Sequence, residues 1–144
     1  MVHALNALME ARRVLAADGV LIVLHPIALQ LPLEIMGAEQ PLFAGLLDDI
    51  AGHERIENAH QALRQVVQEG WLTLERQEEF KYFSYWDTVD EMMVYHDEQN
   101  SDTRTPDHVL AKTRRLVADI NHETRVRVHD TIFIGRYTIK LNNQ

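Results

Sequence analysis

The sequence predicts an α/β domain, with helices laid over the faces of a sheet. Three observations predict it. Residues 20–24, "VLIVL", are the short uninterrupted apolar run that a strand covered on both faces carries. Apolar residues at helical spacing come before that run and recur in the fifties and sixties. The closing stretch, "TRVRVHDTIFIGRYTIKL", alternates apolar and polar residues with the period of a strand. Helices and strands taking turns along one chain make a layered α/β domain.

The first element is a helix. Leu5, Leu8, Met9, Arg12 and Leu15 share its spacing, and Arg12 and Arg13 suit the negative carboxyl end of a helix. Asp18 and Gly19 form the turn, and Val20–Leu24 is the strand that follows. Residues 26–52 are the least patterned. Their glycines and prolines predict a loop with one or two short helices, and "PLFAGLLDDI" is one such helix with Pro41 in its first turn. "HERIENAHQALRQVVQEG" is a second long helix, with Ile56, Ala59, Leu63, Val66 and Val67 on one face and Gly70 at its end.

"WLTLERQEEFKYFSYW" changes to a period near two, with Leu72 and Leu74, then Phe80 and Tyr82, turned inward. Its polar middle places it near a sheet edge. Asp87 is read as an N-cap with Glu91 nearby, a variant of the capping box. "NSDTRTPD" breaks the chain, and Thr105 with Pro106 opens a helix carrying Val109, Leu110, Leu116, Val117 and Ile120. The last strand is interrupted at Gly135, read as a bulge. No repeat or linker divides the chain, so residues 1–144 are read as a single domain.

Composition bounds the function. With 144 residues the chain can bury a core, and its 25% charged and 46% hydrophobic content is ordinary for a globular domain. A formal charge of −8 argues against nucleic acid as a partner. Cysteine is absent, so disulfides, thiolate zinc sites and a cysteine nucleophile are excluded, and a cytoplasmic location is expected. "GVLIVLHPIALQLPL" is interrupted by Pro26 and Pro32, and no membrane span is expected. His53 and His60 are seven apart and can share a helix face, but no third ligand is spaced to complete a metal site. "YHDEQNSD" lacks the glycine and spacing of a calcium loop, and no nucleophile elbow or phosphate loop occurs.

"ALMEARRVLAADGVLIVLHP" resembles the segment leading into and through the fifth strand of class I S-adenosylmethionine-dependent methyltransferases. Arg13-Val14-Leu15 match the end of that family's helix, and Gly19 keeps the last glycine of its turn. "HQALRQVVQEGWLTLERQEEF" resembles the next helix and sixth strand, and "TIFIGRYTIKL" the antiparallel seventh strand. The resemblance covers nearly the whole chain but only the C-terminal half of the family fold. It implies a partial Rossmann-like sheet, one parallel strand pair plus an antiparallel final strand, with helices on the faces.

The family holds its cofactor on a glycine-rich turn after its first strand, where glycine lets the backbone approach closely, and on an acidic residue that takes the ribose. No Gly-x-Gly occurs in this sequence, so the S-adenosylmethionine site of the family is expected to be missing. The fifth strand of the family sits between the fourth and the seventh. The open edge at Val20–Leu24 is therefore expected to pair with a second chain, either a copy of itself in a homodimer or a complementing N-terminal half.

The resemblance places a small-molecule methyl acceptor at the carboxyl ends of the parallel strands. His25 follows the fifth strand and is the candidate general base, although a histidine that closes a strand end through backbone hydrogen bonds is the plain structural alternative. Tyr82, Tyr85 and Trp86 are candidates for an aromatic acceptor wall, against core packing, and His129 with Arg127 returns to the same rim. The function expected is thus the acceptor-binding half of a methyltransferase, active with a second chain. The alternatives are a non-catalytic dimeric binding or regulatory module and an inactive truncated remnant.

Overall fold

The computed structural model describes residues 2–100 and 102–139. Four helices and six strands follow one another as α1 Val2–Val14, β1 Val20–Pro26, β2 Gln30–Met36, β3 Leu42–Asp49, α2 Gly52–Gln68, β4 Leu72–Trp86, α3 Val89–Gln99, β5 Thr103–Arg104, α4 Asp107–Asp119 and β6 Arg125–Ile139. The fold is α/β, with strand pairing β1-β6-β2-β3-β5 and β4 also on β6. Contacts group into two compact units, Met1–Ile27 with Glu54–Phe80 and Ile132–Gln144, and Ala28–His53 with Lys81–Thr131. The chain of β4, and likewise that of β6, passes from one unit into the other. Among the described residues no helix is long and apolar enough to cross a membrane.

In the first unit α1 and α2 pack on β1, the start of β4 and the end of β6. Leu63, Val66, Leu72, Phe133 and Tyr137 are buried, with Leu5, Leu8, Leu21, Val23 and Trp71 packed against them. The Arg12 Nε donates to the Trp71 carbonyl at 3.1 Å, tying the carboxyl end of α1 to the entry of β4. β1 lies antiparallel on β6, from Val20 opposite Thr138 to Pro26 opposite Ile132. Glu75 meets Thr138 and Arg136 across β4 and β6.

The second unit is built on the β2–β3 hairpin, with α3 and α4 over one face. Leu33, Ile35, Leu47 and Met92 are fully buried there, and each contributes about 1.5–3 kcal/mol of transfer free energy. Thr88 caps α3 by accepting the Glu91 amide at 3.1 Å, while the Glu91 carboxylate takes the Asp87 amide. The cap is thus one residue later than the expected Asp87, because Thr88-x-x-Glu91 has the spacing of a capping box.

Several expectations are corrected. The sheet is not a parallel Rossmann-like one: each registered pair is antiparallel, and the final strand β6 lies beside β1, β2 and β4. Residues 20–24 are a strand, but not one covered on both faces. Leu21 and Val23 turn to the helices, while Val20, Ile22 and Leu24 are exposed. Residues 30–49 form two strands where a loop and a helix were expected. Gly45 explains the difference. Its φ of +155° is extended beyond the range side-chain-bearing residues adopt, and α4 comes so close that a Cβ there would meet Val109 Cγ2 at 2.6 Å. Gly135 is not a bulge: it keeps register opposite Val23, and its missing side chain leaves room for the Phe133 and Tyr137 rings. The irregularity is in β2, between Leu33 and Glu34. Phe80 and Tyr82, expected inward, are exposed.

Candidate functional site

His25 ends the alternation that turns Leu21 and Val23 toward the helices, and it comes to stand against α2. Its ring lies edge-on to His60 at 4.8 Å between centroids and 5.1 Å from Phe133. The Nδ1 is 3.0 Å from the Pro26 carbonyl. A carbonyl only accepts, so Nδ1 carries a proton, and in the neutral imidazole Nε2 is the nitrogen with the lone pair. That Nε2 is shielded from solvent and has no hydrogen-bond partner. His60 titrates below its ordinary value, first because it is partly buried and then because His25 and Arg64 are near. The contact with the Pro26 carbonyl closes the strand end, the structural role weighed for His25.

The other sequence-selected residues belong to the second unit. His129 is on β6 and packs its ring 5.4 Å from Phe83. Its Nε2 is 3.9 Å from the Glu34 carboxylate, and burial holds its pKa below the ordinary value against the pull of that charge. Arg127, two residues earlier and so on the same face, holds the same Glu34 oxygen through Nε at 2.8 Å and Nη2 at 2.6 Å. Its guanidinium lies 4.6 Å over the Phe83 ring. Burial works against its charge, but hydrogen bonds to Tyr85 and Glu34 outweigh that and raise its pKa.

The three aromatic candidates do not share one surface. Tyr85 lies under the Arg125 guanidinium at 5.1 Å, on the Phe83 side of β4. Trp86 faces the other way, packs on the unit core and meets Tyr95 and His96 at 5.3 and 5.4 Å. Tyr82 is exposed on the side of the strand opposite Phe83 and Tyr85. Tyr85 and His129 are therefore joined through Phe83 and Arg127, while Trp86 is core. Sequence reasoning did not single out Glu34, which centres this cluster. Its signal was one acidic residue in "QLPLEIM", legible only once that stretch is read as a strand.

Nearby, burial raises the pKa of Asp130, and its carboxylate accepts the Thr131 amide at 2.7 Å. His60 points to His25 in the first unit, while His53 belongs to the second unit. Among the described residues no group of three or more ligating side chains is placed to hold a metal.

Glycines that cradle a cofactor need open space in front of them, and at three of this chain's glycines that space is occupied. A Cβ would meet Leu15 at 2.7 Å from Gly19, the Glu123 carbonyl at 2.6 Å from Gly37, and Val109 at 2.6 Å from Gly45. Gly70 ends α2 with a φ of 72°.

No family model matches the chain, and no curated protein and no solved structure matches it.

Proposed function

We propose that this chain is the acceptor-binding half of a class I S-adenosylmethionine-dependent methyltransferase, completed at β1 by a second chain that carries the cofactor. One observation carries the reading. β1 lies antiparallel on the last strand, β6, as the resemblance expects for a fifth strand beside a seventh, and its other edge pairs with no strand among the described residues. That free edge is flanked by Ile22 and Leu24, 48% and 55% exposed. Unpaired backbone beside apolar side chains favours the addition of a strand.

In this reading the cofactor pocket belongs to the second chain. The present chain holds and orients the acceptor, and His25, at the carboxyl end of β1 with an Nε2 that has no hydrogen-bond partner, is the base. Positioning supplies most of the acceleration of such a transfer.

The test is to place a photo-crosslinking residue at Ile22 in the native host and to identify the chain captured. The expected partner carries a strand–turn–helix with Gly-x-Gly, and the mixed pair binds S-adenosylmethionine by calorimetry where this chain alone does not. Capture of a second copy of this chain favours the dimeric binding module instead. A chain that stays monomeric and captures no defined partner overturns the reading.

A further inference from the structure

Within the first unit, α2, β4 and β6 enclose an open-mouthed cavity of about 720 Å³. Its wall is apolar where Leu63, Val67, Leu74, Phe133 and Tyr137 meet, and His60 stands at one side. We propose that this cavity binds a neutral, planar, multi-ring small molecule bearing a hydroxyl group, with its rings on the apolar wall and its hydroxyl on His60.

The size fits. Cavities that take small molecules run from about 300 to 1,000 Å³ and are mostly apolar with a few polar groups. The polar group is also free for it. His60 makes ring contacts with His25 and Phe133 and no hydrogen bond among the described residues. The imidazole is held toward its neutral form by burial, so it offers one N–H and one lone pair. A hydroxyl both donates and accepts and answers either nitrogen; an ammonium only donates.

Charge at the mouth disfavours anions. Arg64 is engaged by Glu57 at 3.2 Å, and Glu78 by Arg76. Glu79 then leaves a carboxylate at the rim, which repels carboxylates, sulfates and phosphates. Gly135 leaves the Phe133 ring its room, since a Cβ there would come within 2.9 Å of that ring. This site does not rest on the methyl-transfer reading, since it needs neither a cofactor nor a second chain.

The experiment is calorimetry on the chain alone with 2-naphthol, and with naphthalene as the probe that lacks the hydroxyl. Saturable one-to-one binding of 2-naphthol is expected, with naphthalene weaker by about tenfold, the worth of one good hydrogen bond. His60→Phe keeps the ring packing and is expected to bring 2-naphthol down to the level of naphthalene. Val67→Trp fills the cavity from a position 37% exposed and is expected to lose both probes at an unchanged urea midpoint. Gln68→Trp, on the same wall, replaces it if that midpoint falls. Equal affinity for the two probes in the unmodified chain, no binding of 2-naphthol, or binding that survives the blocking variant overturns the proposal.

Discussion

Arg127 and Glu34 stand directly opposite each other on β6 and β2, and their side chains close to 2.6 Å with only 16% and 18% of their surface exposed. A cross-strand pair so placed fixes register as well as charge. A slip of β2 by one residue would turn Glu34 off the face that Arg127 shares with Phe83 and His129 and toward the apolar core.

Breaking the pair from one side leaves a partly buried charge without its partner. Glu34→Ala is expected to lower stability by about 1–3 kcal/mol. The double variant Glu34→Ala with Arg127→Met is expected to recover most of that loss, because no orphan charge remains. Urea midpoints of the two single variants and the double variant check this, and strict additivity would count against coupling.

Acid is expected to destabilise the chain through its histidines. His60, His96 and His129 all titrate below 6.5 in the folded chain, each chiefly because burial disfavours the imidazolium. The unfolded chain then binds more protons between the two values. Their contribution is present above about pH 6.5 and is lost as pH falls through the lower folded values. Asp130 has the opposite sign. Its raised value gives stability present below 3.8 that is lost as pH rises through the folded value. His96 is 5% exposed with its Nδ1 unpaired, so His96→Phe is expected to flatten the fall in urea midpoint between about pH 7 and about pH 5. An unchanged slope would assign the effect to the other two histidines.

Gly45 carries both a steric and a conformational demand. Gly45→Ala adds a Cβ 2.6 Å from Val109 Cγ2 at a φ of +155°, and is expected to cost about 2–4 kcal/mol. Adding Val109→Ala removes the two Cγ contacts but leaves the Cβ at 3.2 Å and the backbone strain, so it should restore only part of the midpoint.

The exposed side of β1 is expected to govern association. Ile22 contributes little to the unit's own core, being 48% exposed. Ile22→Lys should therefore leave the urea midpoint within about 0.5 kcal/mol of the unmodified chain. Light scattering should show that it abolishes any concentration-dependent association of the chain at high micromolar concentration, since charge on an edge strand blocks pairing. Association that persists in this variant would place the contact elsewhere.

Local chemistry made much of this legible in advance. The helical spacing of Leu5 and Leu8, the turn at Gly19, the glycine stop after α2, and the alternation of β4 and β6 need only neighbours in the chain. "QLPLEIM" and "PLFAGLLDDI" were not legible in this way. Proline and glycine there look like breakers until a partner strand and a crossing helix give them a place. Gly45 reads as a loop residue in one dimension, and as the point where α4 approaches β3 in three.

The site divides along the same line. The sequence by itself put His25 at the end of a strand, and His129 and Arg127 near the start of another, because strand periodicity is a local property of the backbone. Only the tertiary structure decided that His25 meets His60, that Glu34 lies between Arg127 and His129, and that Trp86 is core while Tyr82 is not. Those meetings depend on which strands pair and in what register. Pairing is settled by burial summed over residues far apart in the chain, which no short stretch encodes.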